Sequence, residues 1–140
     1  MKRTFALAVA ILAAAAPVRA QPLDPVTRRI AQAWERGDAN SIGSFAARNG
    51  LSLDTGGQKV GPLHARQAAM ALKNVFERVE TVSADIGRAR EVEGNPRRAF
   101  VEITWVTKAR GTSIPERTQV FFGLIVDDDA WRITEIRLIQ

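Results

Sequence analysis

Apolar residues change their spacing twice along this chain. From Val26 to Trp34 they recur every three or four positions: Val26, Ile30, Ala33 and Trp34 form one stripe, which predicts an amphipathic helix. Asp24-Pro25 suits its start, with Asp as cap and Pro at the first helical position. Gly37 ends it, and Asp38 caps a second, shorter helix carrying Ile42, Phe45 and Ala46 on one face, closed by Asn49-Gly50. Leu51-Ser52-Leu53 alternates as a short strand, Thr55-Gly56-Gly57 turns, and Gln58 to Val60 returns. Gly61-Pro62 reads as a break. A third helix is predicted from His64 to Arg78, with Ala65, Ala69, Leu72 and Phe76 as its stripe.

From Val79 onward the period is two. Val82, Ala84 and Ile86 alternate with Ser83, Asp85 and Gly87; Gly94-Asn95-Pro96 turns the chain. Ala99, Val101, Ile103 and Trp105 then make an apolar face opposed by Phe100, Glu102, Thr104 and Val106. After a loop at Gly111 to Pro115, Val120 to Val126 is a nearly unbroken apolar run, as in a strand covered on both faces. Asp127, Asp128 and Asp129 form a turn, and Trp131 to Ile139 returns with apolar and polar residues mixed on both faces. Helices first and antiparallel strands after is the α+β pattern.

Before these elements, Met1-Lys2-Arg3, the apolar stretch Phe5 to Ala16 and the small residues of Val18-Arg19-Ala20 read as a signal peptide over residues 1–20. The apolar stretch is too short for a stable membrane anchor. The expectation is an exported, periplasmic or secreted bacterial protein whose residues 21–140 form one domain. No cysteine occurs, which excludes disulfides and a lipid anchor on cysteine. Of 20 Lys and Arg, Lys2, Arg3 and Arg19 fall in the leader, leaving 17 against 15 carboxylates, a net +2. The arginines are scattered among acids, so no nucleic-acid footprint is expected.

Four local features carry a resemblance: the join Ala33-Trp34-Glu35-Arg36-Gly37-Asp38-Ala39; Gly61 through Phe76, GPLHARQAAMALKNVF; the late long strands; and Trp131-Arg132-Ile133. In that order they resemble the nuclear transport factor 2-like superfamily, the cone fold shared with ketosteroid isomerases and SnoaL-type cyclases. The likeness is greatest to small exported members described as domains of unknown function. It implies a cone-shaped α+β barrel, with three N-terminal helices packed on a curved, mainly antiparallel sheet. It also implies a cone whose interior binds small apolar molecules and an outer sheet face that pairs two subunits. Candidate pocket-lining residues under this resemblance are Trp34, Phe45, Phe76, Glu102, Trp105 and Phe121.

The chemistry expected of such enzymes is thinly supplied. There is no tyrosine to act as an oxyanion donor, and the single histidine, His64, stands at a helix start and reads as a capping or surface residue. Asp54, Asp85, Glu102, Arg117, Glu135 and Arg137 offer carboxylates and guanidinium groups for a hydrolase-like set. Glu102 reads first as a cross-strand partner of Arg117 or its neighbours. Three consecutive aspartates lack the spread and glycine turn of a calcium loop. No catalytic residue, metal or cofactor is assigned. The expectation is a non-catalytic domain binding a small apolar ligand or a protein, as a homodimer through the outer sheet face. Two alternatives remain open: an isomerase, lyase or hydrolase using a carboxylate-arginine set, and a structural dimerisation module with a filled cone.

Overall fold

The computed structural model describes residues 22–140; the expected signal peptide lies outside them. Three helices, α1 (Leu23–Glu35), α2 (Ala39–Ser44) and α3 (Ala65–Glu77), pack on six strands. These are β1 (Leu51–Asp54), β2 (Lys59–Leu63), β3 (Val79–Val92), β4 (Arg98–Ala109), β5 (Pro115–Asp127) and β6 (Ala130–Ile139). The sheet order is β2-β1-β6-β5-β4-β3. All neighbours are antiparallel except β1 and β6, which run parallel. This is the expected α+β cone, a curved sheet around its helices.

The helices follow their apolar stripes, with corrections at the ends. α1 buries Val26, Ile30, Ala33 and Trp34. It begins at Leu23, so Asp24 is not the cap: it sits in the first turn, where its charge favours the helix dipole, and Pro25 lacks only an amide that has no partner there. Asp38 does cap α2, accepting from the Ser41 amide at 3.1 Å and the Ser41 hydroxyl at 2.6 Å. Phe45 is the C-cap rather than a helical residue, and Ala46 bridges in parallel to Ile133. On α3, Ala65 is exposed and Ala68 is buried beside Ala69, Leu72 and Phe76. His64 is the N-cap; its backbone amide donates to Gln67 Oε1 at 3.0 Å.

Gly61-Pro62 does not end a strand as expected; it lies inside β2. β2 is an edge strand, the position in a sheet where proline is tolerated. Gly61 has φ +136°, and a Cβ there would stand 2.8 Å from the Leu51 carbonyl oxygen, so only glycine fits.

In the sheet, β4 keeps the expected alternation, with Ala99, Val101, Ile103, Trp105 and Thr107 buried. β3 does not. Register shifts leave Val82 and Gly87 as extra residues, so Val82 is 52% exposed and Ala84 alone of its trio is buried. A third bulge adds Thr134 to β6, which explains why that strand shows no clean period: Trp131 and Ile133 point inward before it, Ile136 after it. The β5–β6 loop is the two residues Asp128 and Asp129, both left-handed with φ 50° and 60°, which suits the twist of a tight hairpin. On β5, Val120, Phe122 and Leu124 are buried while Phe121 and Ile125 are half-buried on the opposite side.

Candidate functional site

The interior is organised around Trp34, in the last turn of α1. The α1 stripe aims it inward, where it meets Phe76 of α3, Trp105 of β4 and Phe122 of β5 with ring centroids at 4.8, 5.3 and 5.3 Å. Each contact is edge-to-face, the favoured geometry for aromatic quadrupoles. Phe76 and Trp105 close the set at 6.0 Å. Trp105 Nε1 donates to Thr81 Oγ1 at 3.0 Å. Trp34 Nε1 is buried without a hydrogen-bond acceptor. The four rings pack edge-to-face between the helices and the sheet.

Of the six residues expected to line a pocket, Trp34, Phe76 and Trp105 come together here. Phe122, hidden in a run with no period, joins them in place of Phe121. Phe121 lies on the outer side of the sheet, because its register partner Glu102 is outward while Val101 opposite Phe122 is buried. Phe45 is half-buried at the end of α2, with the Arg29 guanidinium 5.7 Å from its ring centre. Glu102 also faces outward, and it pairs with Arg88 of β3 at 3.3 Å rather than with Arg117. The other groups weighed for acid–base work share that outer face or its edge: Asp85 opposite Thr104, Arg117 opposite Val106, Glu135 opposite Gly123, and Asp54 opposite Arg137.

Where the ends of α1 and α3 meet the start of β3, an open groove of about 420 Å³ has Phe76 against it, with Glu35, Arg36, Lys73, Glu77, Glu80 and Arg110 around the rim. Several of these charges already have partners. Lys73 stands 3.9 Å from Glu77, Arg110 Nε donates to the Glu77 carbonyl at 2.7 Å, and Arg36 lies 3.9 Å from Asp38. The Ser41 hydroxyl and amide, with Arg36 beyond them, hold the Asp38 carboxyl below its usual range against a small opposing effect of burial. Among the described residues, no group of three or more His, Cys, Asp or Glu is placed to hold a metal ion.

The outer face is more distinctive. Phe100 and Phe121 stack across β4 and β5 at 5.9 Å with planes 19° apart. The Arg137 guanidinium lies 5.7 Å from the Phe121 ring centre and 2.6 Å from Glu135. Thr104 and Gln119 hydrogen-bond across the strands at 3.2 Å. Val106 and Ile125 extend the half-buried apolar strip along the same strands.

No protein-family model and no curated protein matches the sequence. Solved structures do match in fold. A DUF4783 family protein from Bacteroides ovatus superposes with a TM-score of 0.67 at 15% identity, over 87% of this chain and 96% of its own. A hypothetical protein from Catenulispora acidiphila with a ketosteroid isomerase-like fold, in complex with trimethylamine, gives 0.64 at 15% identity, over 85% and 87%. A designed nuclear transport factor 2-like chain with a long sheet gives 0.65 at 13% identity, over 84% and 99%.

Proposed function

We propose that this chain, which has the nuclear transport factor 2-like fold, is a non-catalytic self-association module: two copies meet through the outer sheet face. It works outside the cytoplasm once the leader through Ala20 is removed. The observation that carries this reading is the pairing of an interior packed with aromatic rings with an aromatic outer face. Trp34 is fully buried against three rings, which leaves little room for a guest. Phe100 and Phe121 are stacked on the side opposite the buried face of the sheet, which none of the described helices covers. Arg90 stands in register with Phe100, and Arg137 lies over Phe121. Stacked rings flanked by arginines are the kind of surface that anchors protein contacts. Sedimentation equilibrium of residues 21–140 tests it. A dimer is expected for the wild type and a monomer for Phe121→Asp, and a wild-type monomer at high micromolar concentration overturns it.

A second reading, small-ligand binding, is favoured by the groove beside Phe76 and by the trimethylamine held by the Catenulispora acidiphila protein. Titration with trimethylamine monitored through the chemical shifts of Phe76 and Thr81 tests this reading; unmoved signals at millimolar ligand end it.

A further inference from the structure

Among the described residues, the outer face carries two charges of opposite sign, Asp85 and Arg117, without an ion-pair partner; Arg90 and Arg98 on the same face are further unpaired cations. Asp85 projects outward from β3, in register with Thr104 of β4 and through it with Gln119 of β5. Arg117 projects outward from β5, in register with Val106 and through it with Ser83. Among the described residues, neither takes part in an ion pair or a side-chain hydrogen bond, whereas the neighbouring Glu102, Arg88, Glu135 and Arg137 are all paired. Both are exposed. They stand on either side of β4, two strands and two residues apart, about 12 Å between their α-carbons given ordinary strand spacing and rise. Within one subunit the two side chains project side by side from the same face and are not paired.

From this placement we infer that Asp85 of each copy pairs with Arg117 of the other, across a two-fold axis running along β4 over the outer face. This deepens the dimer reading above and rests on it. A half-turn about that axis exchanges the positions of β3 and β5 without moving residues along the strand direction. The second copy's Asp85 then lies over Gln119, and Arg117, the next outward residue of β5, is about 7 Å along the strand. With the facing sheets about 10 Å apart the two α-carbons are about 12 Å apart, and because the side chains project toward each other an arginine and an aspartate together span that gap. Symmetry makes the contact twice. The same rotation sets the second copy's Arg90 over Gly123, the one outward position of central β5 with no side chain to obstruct it. An axis between β4 and β5 would instead exchange β3 with β6 and place Asp85 over Ile139 and Arg137, where Glu135 already answers the arginine.

Charge reversal separates these arrangements. The dimer dissociation constant is measured by sedimentation for wild type, Asp85→Lys, Arg117→Glu and the double variant, in low and high salt. All four should share a wild-type melting temperature within a few degrees, since both sites are exposed. Each single reversal should weaken the dimer by about tenfold or more, because it sets like charges opposite each other twice per dimer. The double variant should return to within about threefold of wild type, and high salt should narrow the differences.

An equal mixture of the two single variants gives an independent check. In a heterodimer of Asp85→Lys with Arg117→Glu, the introduced lysine of one copy faces the introduced glutamate of the other. The second contact joins an unchanged Asp85 to an unchanged Arg117. Both contacts are then attractive, so the mixture should dimerise as wild type does although each variant alone does not.

The outcomes are distinct. A wild-type monomer sinks the dimer reading itself. A wild-type dimer that Phe121→Asp disrupts and Arg117→Glu leaves unchanged keeps that reading and overturns the axis along β4. Single variants that weaken the dimer without rescue, in the double variant or in the mixture, overturn the pairing.

Discussion

Removing Trp34 is the most direct way to ask whether the interior is full. The side chain is fully buried and meets Phe76, Trp105 and Phe122 edge-on. An aromatic side chain of this kind buries about 150–250 Å². At about 25 cal/mol per Å² that corresponds to roughly 4–6 kcal/mol, an upper figure because unfolded chains are already partly compact. Measured Trp→Ala losses in packed cores run at about 3–5 kcal/mol. One effect opposes the loss: the substitution also removes Nε1, a buried donor without an acceptor, and relieving it returns about 1 kcal/mol. The expected cost of Trp34→Ala is therefore about 3 kcal/mol. Urea unfolding followed through the fluorescence of Trp105 and Trp131 measures it. The space left behind is lined by aromatic rings and stays dry, so indole should bind there and raise the unfolding midpoint in proportion to the logarithm of its concentration. A loss below about 1 kcal/mol with no response to indole refutes the reasoning, because Trp34 would then sit in space that solvent already reaches.

Three further substitutions probe local features. Gly43→Ala should lower stability by about 1–3 kcal/mol in thermal melts despite alanine's better helix propensity, because its Cβ would lie 2.5 Å from the Ala65 carbonyl oxygen where α2 crosses α3. Asp129→Gly should raise the melting temperature, by about 0.5 kcal/mol in stability, since glycine adopts the left-handed backbone at φ 60° without strain. Asp38→Ala should cost about 1 kcal/mol as a lost cap. The pH dependence of that cost has a fixed sign: the folded carboxyl titrates below its unfolded value of 3.8, so the stabilisation is complete above about pH 4 and fades as acid protonates the folded form. Asp38→Asn, which caps without a charge, should lack that acid-sensitive part in parallel urea titrations.

Much of this architecture is written in the spacing of apolar residues, and the places where it is not have physical causes. β4 alternates without interruption, so its buried face is plain from Ala99 to Trp105. β3 and β6 each carry extra residues that reset the alternation, and nothing in the side chains at Val82 or Thr134 announces a bulge. Val120 to Val126 has no period at all, so Phe121 and Phe122 are indistinguishable until strand register assigns one to each side. The partner of Glu102 is similarly undetermined by sequence. β4 has a neighbour on each side and both offer an arginine; Arg88 lies directly opposite, while Arg117 is displaced by four residues along β5 from Phe121, the residue in register with Glu102. Proline within β2 is tolerated because the strand is an edge, a fact of strand order rather than of local composition.

The parallel pairing of β1 with β6 carries a consequence for how the molecule is made. β1 and β2 touch the rest of the sheet only through β6, so until Ala130–Ile139 arrives they form a lone two-stranded ribbon, which is marginal in water. In a chain emerging from the ribosome in order, this end of the sheet therefore locks late, when its closing strand slots between partners more than sixty residues apart in sequence. Such delayed locking suits the export proposed above, because a translocation channel admits only chain that has not yet set.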